Sequence, residues 1–590
     1  MANRGIVGSL ALLMAAGSAE AASRPAVEAE HGMVVSSQHL ASEIGVESLK
    51  AGGNAVDAAV AVGYAEAVVN PCCGNIGGGG FMVLHLAAGK DKPARDTFIN
   101  FREMAPAAAR ADMYLDAQGK VVKDASLLGY LAAGVPGTVL GLETALKEYG
   151  SLPRAKVIAP AIRLARDGFV LTRGDTDILD QRSGQFRADP ALAAIFLRKD
   201  GTPLRPGDKL VQKDLADTLA AIAKTGADAF YKGKIPAEVE AASKAHGGIL
   251  TAADFAAYKV TEAAPIGCDY RGYHFLSAPP PSSGGVTLCE TLNILEGYDL
   301  KAMGFHSAQA VHVMTEAMRH AYLDRNSYLG DPAFVANPID RLLSKDYAAQ
   351  IRATIPADKA TASKDLVPGV APHEKMETTH YSVVDQAGNA ASVTYTINGL
   401  FGAVVIAGHT GFLLNDEMDD FTTKVGVPNL FGLVQGQANA IAPGKRPLSS
   451  MSPTLVTKDG KIFLVLGSPG GSRIITITLE TALNMIDYGM EPQEAVDAPR
   501  IHHQWLPDEV DLEPWSVSPD SAKLLTDMGY KLVQQTPWGA AELIAIGPDK
   551  PGGTGPASSG NDASVGGKMR PGLRYGANDD RRPAGAAVGY

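Results

Sequence analysis

Strand-forming residues are concentrated in two short runs of the chain that flank a turn-forming segment. Both runs, 378–385 and 391–398, are rich in Val, Thr and Tyr, and the turn-forming segment Asp385–Asn389 lies between them. This composition predicts a β-hairpin. A turn centred on Ala387 places Thr378 opposite Thr396, whereas a register slip of one residue would put the two side chains on opposite faces.

Helical spacing of apolar residues dominates the region from about 135 to 270. An Ala-rich segment that begins at Asn54 predicts a buried helix, with the Asn side chain as its N-cap. A further long helix is predicted over 306–328. Its polar positions predict a polar face or a buried ion-pair network, and they are Glu316, Arg319, His320 and Asp324.

Four consecutive glycines, Gly77–Gly80, precede an apolar strand. Glycine in this position predicts a backbone that packs against a neighbour too closely for side chains. A phosphate-binding loop is excluded because the Lys-Ser/Thr pair that would follow it is absent.

The composition is that of a globular protein. The 590 residues are 46% apolar and 20% charged, which supplies ample material for a buried core. The formal net charge of −11 argues against nucleic acid as a partner, since phosphate binding needs a basic face. We therefore expect a small-molecule partner.

The first 21 residues have the pattern of a secretory signal peptide. Arg4 precedes an apolar run from 6 to 16, and Ala19-Glu20-Ala21 fits a signal-peptidase site. The alternative is a membrane anchor, but the apolar run is about half the length of a span. We expect a periplasmic or secreted protein that begins at Ala22.

Four cysteines are too few for a disulfide framework in an exported chain of this size. A bond between the neighbours Cys72 and Cys73 is expected to be strained and disfavoured, whereas Cys268 and Cys289 could pair. No cysteine or histidine spacing supports a structural metal. The acidic cluster of 416–420, which follows a predicted apolar strand, lacks the ligand pattern of a calcium loop.

Four separated motifs together resemble the signatures of γ-glutamyltranspeptidases, which are self-cleaving N-terminal-nucleophile hydrolases. They occur in the order of that family and are Asn100–Pro106, Thr378–Val383, Pro447–Thr454 and Gly467–Arg473. The similarity extends from about Val34 to about Gly547 and resumes at the C-terminal tail.

The resemblance implies an α/β (α+β) fold, the four-layer αββα sandwich of the N-terminal-nucleophile hydrolases. It also implies self-cleavage between Glu377 and Thr378 into a large chain, 22–377, and a small chain, 378–590, which stay together as one structural unit. The polar segment Lys345–Glu377 would then be a long mobile loop. Residues 548–573, rich in Gly, Pro and Ser, are predicted to be a flexible insertion.

The same resemblance assigns the catalytic groups. Cleavage would give Thr378 a free α-amine with a pKa of about 7.7–8, able to take the proton of its own hydroxyl. Thr396 would orient both groups. The backbone N–H groups of Gly470 and Gly471 would form the oxyanion hole.

A γ-glutamyl donor carries a free α-amine and a free α-carboxylate. By resemblance, Arg102, Ser449 and Ser450 would bind the carboxylate, and Asn398, Glu417 and Asp420 the amine. Phe431 would lie in a lid loop, at a position where relatives often carry Tyr. No cofactor or metal is implied, and glutathione and other γ-glutamyl compounds would be donors to water, amino acids or peptides.

Two alternatives remain open. A cephalosporin or glutaryl acylase shares the fold and the terminal nucleophile. An unprocessed homologue that only binds amino acids would keep an intact chain, and the sequence Gly399-Leu400, where relatives often carry small hydroxyl residues, leaves this interpretation open.

Overall fold

The computed structural model describes residues 23–89, 93–366, 378–548 and 569–590. The predicted signal peptide, Glu377 of the predicted cleavage site and residues 549–568 of the predicted insertion lie outside the described residues. Among the described residues, no helix is long and apolar enough to cross a membrane.

The strands of the described residues form two large antiparallel sheets and two small ones. Their bounds are β1 Val27–Ala29, β2 Met33–Ser36, β3 Gly79–Leu86, β4 Arg95–Phe101, β5 Phe169–Val170, β6 Lys209–Leu210, β7 Thr261–Ala263, β8 Ile266–Tyr270, β9 Tyr273–Ser277, β10 Thr379–Val384, β11 Ala390–Thr396, β12 Thr454–Lys458, β13 Lys461–Leu466, β14 Ile501–His502, β15 Val510–Leu512, β16 Leu532–Gln534, β17 Glu542–Ile546, β18 Arg574–Asn578 and β19 Ala586–Gly589. The first large sheet has the order β1-β18-β17-β13-β12-β9-β8, and the second has the order β19-β2-β10-β11-β3-β4-β7.

The helices of the described residues are concentrated in the first part of the chain. Their bounds are α1 His39–Lys50, α2 Ala55–Val69, α3 Thr138–Tyr149, α4 Arg154–Asp167, α5 Arg173–Asp180, α6 Ser183–Ala188, α7 Pro190–Phe196, α8 Lys213–Thr225, α9 Asp228–Tyr231, α10 Lys234–Ala245, α11 Ala252–Ala257, α12 Gly284–Leu295, α13 Leu300–Met303, α14 Ala308–Tyr328, α15 Ile339–Leu342, α16 Lys345–Thr354, α17 Ser363–Leu366, α18 Ile474–Ile486, α19 Pro492–Asp497 and α20 Pro519–Asp527. The predicted helical region 135–270 is confirmed, with only short strands between its helices.

The two large sheets pack face to face, and helices cover their outer faces. Apolar side chains such as Phe81 of β3 and Val465 of β13 form the layer between the sheets. The outer face of the second sheet packs against α2 and its neighbours, and that of the first sheet against α12, α14 and α18. This arrangement confirms the four-layer αββα sandwich.

Helix α2 is buried along its whole length because its small alanines allow close packing on the second sheet. Asn54 caps it as predicted. The Asn54 side chain accepts hydrogen bonds from the N–H groups of Val56 and Asp57, and the Asp57 carboxylate accepts one from the N–H of Asn54. The helix therefore has a defined start, and its other end leads into the glycine segment.

The glycine segment packs as closely as predicted. A Cβ atom on Gly77 would lie 1.9 Å from the carbonyl oxygen of Leu413, and one on Gly78 would lie 1.8 Å from the carbonyl oxygen of Thr396. Backbone carbonyls cannot yield that space, so only glycine fits. This contact lies where strand β3 begins, beside the end of its antiparallel neighbour β11.

Three expectations are wrong. Cys72 and Cys73 are bonded to each other, in a buried turn held by hydrogen bonds from Cys73 N to Asn70 O and from Phe401 N to Cys72 O. The segment Lys345–Glu377 is not one long loop, because two helices, α16 and α17, start within it. The acidic cluster forms a 3-10 helix, Glu417–Asp420, and within the described stretch 397–416 no regular strand leads into it.

Cys268 and Cys289 also form a disulfide, which is the pairing that the sequence left open. This bond ties strand β8 to helix α12. All four cysteines lie before residue 378, so neither disulfide joins the predicted large chain to the predicted small chain.

Candidate active site

The hairpin of β10 and β11 has the predicted register. Thr379 pairs with Tyr395, and the next pair outward is Thr378 opposite Thr396. Their hydroxyl oxygens are 3.4 Å apart. Thr378 is only 5% exposed, at the head of a strand that lies in the middle of the second sheet. The two threonines therefore share one buried position, as the sequence predicted.

Thr396 is itself held in place from two sides. Its hydroxyl oxygen accepts a hydrogen bond of 2.9 Å from the N–H of Asn398. Asn398 has a positive φ of 72°, and its side-chain amide donates to the carbonyl oxygen of Asp416 at 3.0 Å. The backbone of Gly78 packs beneath the Thr396 carbonyl. These contacts leave the Thr396 hydroxyl a narrow range of positions beside Thr378.

One small pocket collects nearly all of the predicted site residues. Its lining includes Arg102, Thr378, Thr396, Asn398, Glu417, Asp420, Phe431, Ser449, Ser450 and Gly471. Gly470 lies in the adjoining, larger cleft instead. The residues come from seven separate stretches of sequence that the tertiary structure brings together. Their individual roles remain predictions.

The predicted carboxylate-binding and amine-binding groups contact each other. The Arg102 guanidinium donates to the carboxylates of Glu417 and Asp420, and it lies 3.3 Å from the Glu103 carboxylate. Burial disfavours the cation, but the three carboxylates raise the pKa of Arg102. Burial also raises the pKa of Glu417, while Arg102 opposes that shift. A bound zwitterion would have to compete with these internal pairs.

The predicted lid residue covers the pocket from the side of Gly471. Phe431 is 5% exposed, and a Cβ atom on Gly471 would lie 2.4 Å from its ring. Its carbonyl oxygen accepts a hydrogen bond of 3.3 Å from Gln504. The N–H of the preceding Leu430 donates to the Asp419 carboxylate at 2.7 Å. Asp419 and Gln504 are therefore anchors of this loop that the sequence did not indicate.

The predicted oxyanion-hole glycines both have positive φ angles, 144° for Gly470 and 55° for Gly471. L-amino acids rarely adopt these angles, so the turn depends on glycine. Helix α18 starts three residues later, at Ile474. The turn, whose Gly471 lines the pocket, therefore lies at the N-terminal side of a helix, where partial positive charge accumulates.

Arg325 is the charged residue of this pocket that the sequence interpretation missed; the other lining residues that it missed are apolar. It lines the same pocket from helix α14, and its guanidinium donates to the hydroxyl of Ser450 at 2.9 Å. The helical spacing of α14 indicated a buried ion-pair network, which the Glu316–Arg319 pair confirms. Nothing in that spacing distinguishes Arg325 from Arg319, so no local signal could have found it.

No cluster of three or more His, Cys, Asp or Glu side chains within the described ranges is arranged to hold a metal ion. The polar groups that line the pocket include hydroxyls, carboxylates and two buried arginines, Arg102 and Arg325. Two facing antiparallel sheets between helical layers, with a buried threonine at the head of a central strand, define an N-terminal-nucleophile hydrolase.

Comparison with known proteins narrows this class. The family profile "Gamma-glutamyltranspeptidase" matches residues 41–568. A glutathione hydrolase proenzyme of Pseudomonas sp. (strain A14) is 59% identical over 572 residues, which cover 97% of this chain and 96% of that protein. The glutathione hydrolase proenzyme of Escherichia coli (strain K12) is 51% identical over 524 residues, 89% of each chain.

Among solved structures, cephalosporin acylase from Bacillus halodurans superposes with a TM-score of 0.80 at 26% identity, covering 98% of this chain and 99% of the acylase. The similarity in sequence to the glutathione hydrolase proenzymes is far higher. The chain belongs to the γ-glutamyltranspeptidase family, and the resemblance of its four motifs is confirmed.

Proposed function

We propose that this protein is a γ-glutamyltransferase and glutathione hydrolase that activates itself by cleavage before Thr378. The observation that carries the proposal is the shared position of Thr378 and Thr396, 3.4 Å apart, in a pocket that also contains an arginine and carboxylates. A γ-glutamyl group needs this combination because it presents an amine and a carboxylate beside the carbonyl to be attacked. The name of the two relatives, glutathione hydrolase proenzyme, supports the same conclusion.

Self-cleavage is the first reaction that we propose. The Thr378 hydroxyl attacks the carbonyl carbon of Glu377, the C–N bond breaks, and the nitrogen takes up the hydroxyl proton. An ester remains, and water hydrolyses it to the Glu377 carboxylate and the free Thr378 hydroxyl. The reaction converts an amide nitrogen, which is not basic, into an α-amine that can act as the general base.

Turnover repeats the chemistry on an external donor. The Thr378 hydroxyl attacks the γ-carbonyl carbon and passes its proton to the α-amine, and the N–H groups of Gly470 and Gly471 stabilise the oxyanion. The C–N bond then breaks, and the leaving amine receives the proton. Water or the amine of an amino acid or peptide finally displaces Thr378 from the γ-glutamyl ester.

Substrate binding would replace contacts inside the protein. The donor's α-carboxylate would take a place beside Arg102, Ser449 and Ser450, and its α-amine a place beside Asn398, Glu417 and Asp420. Before a donor binds, the internal pairs of Arg102 keep both sets of charges compensated. Phe431 would close over the bound donor, without the hydroxyl that a Tyr would add.

We also propose that the protein is exported through the signal peptide 1–21 and matures into chains 22–377 and 378–590, with 548–573 as a flexible insertion. The motif pattern of residues 1–21 supports this proposal. The test is N-terminal sequencing of the protein from the periplasm or medium of expressing cells. A large chain beginning at Ala22 is the expected result, and an uncleaved Met1 would contradict it.

A cephalosporin or glutaryl acylase is the second candidate, favoured by the superposition with the Bacillus halodurans enzyme. The acids Glu417 and Asp420 oppose it, because a glutaryl group has no amine for them to bind. Release of p-nitroaniline from γ-glutamyl and glutaryl anilides separates the two. We expect faster release from the γ-glutamyl anilide, and faster release from the glutaryl anilide would reverse the assignment.

The decisive experiment combines intact mass, N-terminal sequencing and a Thr378→Ala variant. The wild type should yield a small chain, residues 378–590, that begins at Thr378. The variant should stay uncut and release no p-nitroaniline. A wild-type chain that remains intact after prolonged incubation would instead support an unprocessed binding protein.

A further inference from the structure

Arg325 occupies the pocket differently from Arg102. It lies near the end of helix α14, is 1% exposed, and lines the pocket together with Thr378 and Ser450. Both arginines are thus buried beside the predicted nucleophile. Only their partners differ.

The partners of Arg325 are all uncharged. Its Nε donates to the Ser283 hydroxyl at 2.9 Å, its Nη2 to the Ser450 hydroxyl at 2.9 Å, and its Nη1 to the side-chain oxygen of Asn326 at 2.7 Å. A longer bond of 3.4 Å reaches the side-chain oxygen of Gln435. Within ranges 23–89, 93–366, 378–548 and 569–590, no carboxylate lies within salt-bridge distance of this guanidinium.

Four other buried arginines of the described residues have carboxylate partners: Arg102, Arg319, Arg473 and Arg500. Two more, Arg446 and Arg574, donate to backbone carbonyl oxygens instead. Arg102 contacts three carboxylates, and Arg319, two turns earlier on helix α14, pairs with Glu316 and Asp508. Burying a cation without a counter-ion is costly. Burial lowers the pKa of Arg325 to about 10, and the Tyr322 phenol and the Asp420 carboxylate offset only part of that effect. Because no carboxylate of the described residues is bonded to this guanidinium, its positive charge at the pocket is only partly compensated.

The contacts of Arg325 also hold the predicted carboxylate-binding serines. Ser283, which accepts from Arg325, donates from its hydroxyl to the carbonyl oxygen of Ser449 at 2.6 Å, and its N–H donates to the same oxygen at 2.8 Å. Arg325 thus contacts Ser450 directly and Ser449 through Ser283. Its Nη2 carries a second N–H that these bonds do not use.

We propose that Arg325 is a positioning residue for the α-carboxylate of the donor: it holds the Ser450 hydroxyl and supplies the positive charge that Arg102 shares among three acids. The inference rests on the proposed γ-glutamyl function and adds a specificity determinant to it. An anion beside Ser450 would be the counter-ion that this buried cation lacks. Donors without an α-carboxylate would gain nothing from Arg325.

The test compares two anilides that differ only in the α-carboxylate. γ-Glutamyl-p-nitroanilide carries it, and 4-aminobutyryl-p-nitroanilide keeps the amine and the γ-carbonyl but lacks it. We expect Arg325→Met to lower kcat/KM on the γ-glutamyl anilide by about 10-fold to 100-fold, as expected for a charge-assisted hydrogen bond. On the aminobutyryl anilide, the same substitution should lower kcat/KM by less than about 3-fold.

Arg325→Lys is the conservative variant. It keeps the charge but not the forked geometry, so it should recover part of the loss on the γ-glutamyl anilide. If the Met variant fails to fold or to cleave itself, the Lys variant alone carries the test, with a smaller loss confined to the γ-glutamyl anilide. Equal losses on both anilides would show a merely structural role and overturn the proposal.

Arg319→Met is the matched control, because Arg319 is also buried on helix α14 but pairs with acids outside the pocket. Its loss should destabilise the protein and affect both anilides by the same factor. The activity of the wild type on the γ-glutamyl anilide distinguishes failure of the proposed function from failure of the role proposed for Arg325. If the wild type releases nothing from the γ-glutamyl anilide, the proposed function fails; if it turns over and the variants lose both anilides equally, only the role of Arg325 fails.

Discussion

At the scale of single residues, the site depends on hydroxyl and carboxyl groups that are buried with few alternatives for their hydrogen bonds. Thr396 contacts both the Thr378 hydroxyl and the N–H of Asn398. Behind strand β10, the buried Glu66 carboxyl accepts a hydrogen bond from Asn70 at 2.9 Å and one from the Thr379 hydroxyl at 3.4 Å. Each of these groups yields a prediction that a single substitution can test.

Replacing Thr396 by Val should lower kcat by about 10-fold to 100-fold and slow self-cleavage, because the hydroxyl partner of Thr378 and the acceptor for Asn398 N–H are both lost. Thr396→Ser, which keeps the hydroxyl, should retain most of the activity. Steady-state kinetics and time-resolved intact mass measure the two effects. Turnover of the Val variant within about 2-fold of the wild type would exclude an orienting role.

Glu66 should make stability depend on pH. Burial raises its pKa from 4.5 to about 7, with the hydrogen bond from Asn70 opposing. Between these values the folded protein retains a proton that the unfolded chain has lost, so stability falls as pH rises through this window, by about 3 kcal/mol in full. The charged or titratable groups around it are Tyr381, Tyr395 and Glu542.

Glu66→Gln cannot titrate and should therefore lose this part of the pH dependence. Thermal unfolding of both proteins at several pH values between about 4.5 and 8 measures it, and the melting temperature of the variant should decline less. Other buried acids contribute equally to both curves and cancel in the difference. Parallel curves for the two proteins would show that Glu66 does not titrate in this range.

At the scale of elements, the hairpin and the glycine segment act as one unit. Strand β11 pairs with β10 on one side and with β3 on the other, and the register with β3 brings Gly79 opposite Thr396. Gly78 then packs on the Thr396 carbonyl. Backbone contacts from strands β10 and β3 therefore set the position of Thr396. For this reason, a methyl group on Gly78 should affect the active site.

Gly78→Ala should lower the melting temperature and reduce the fraction of self-cleaved protein, because its Cβ would displace the Thr396 carbonyl. Gly184→Ala is the matched control. Gly184 lies in helix α6. Apart from its chain neighbours and the nearby backbone of its own helix, no atom of the described residues lies within 4 Å of the place that a Cβ would take, so alanine should be neutral or slightly stabilising. Normal cleavage and stability in Gly78→Ala would contradict the close packing.

At the scale of the whole molecule, the two predicted chains interleave. Strands β1–β9 precede residue 378, and β10–β19 follow it. They are hydrogen-bonded across the boundary at β1–β18 and β9–β12 in the first sheet, and at β2–β19, β2–β10 and β3–β11 in the second. Cleavage of one peptide bond would therefore leave both sheets and their cores intact.

The cleaved chains should accordingly elute together in native size-exclusion chromatography and separate only in denaturant. Reducing agent should not separate them, since neither disulfide crosses the boundary. Gel electrophoresis of the native peak under denaturing conditions should show two bands. A small chain that elutes alone under native conditions would contradict the interleaved arrangement.

Features that depend only on neighbours along the chain could be predicted from the amino-acid sequence. The hairpin register follows from the centre of its turn, the start of α2 from the Asn54 cap, and the close packing of Gly77–Gly80 from the absence of side chains. Four motifs also sufficed to indicate the family and, through it, the fold. The expectation that Cys72 and Cys73 would not bond was wrong, because a buried turn brings their two sulfur atoms together.

Which charged groups contact each other could be seen only in the tertiary structure. Arg102 contacts acids that lie 315 and 318 residues further along the chain, and Arg325 reaches Ser450 across 125 residues. Hydrophobic periodicity and turn-forming residues indicate the local structure of a segment and its burial. They do not identify the residues, distant in sequence, that the segment contacts. Two arginines on the same helix, Arg319 and Arg325, therefore look alike in sequence, and packing alone gives one a pair of carboxylates and the other a place in the pocket.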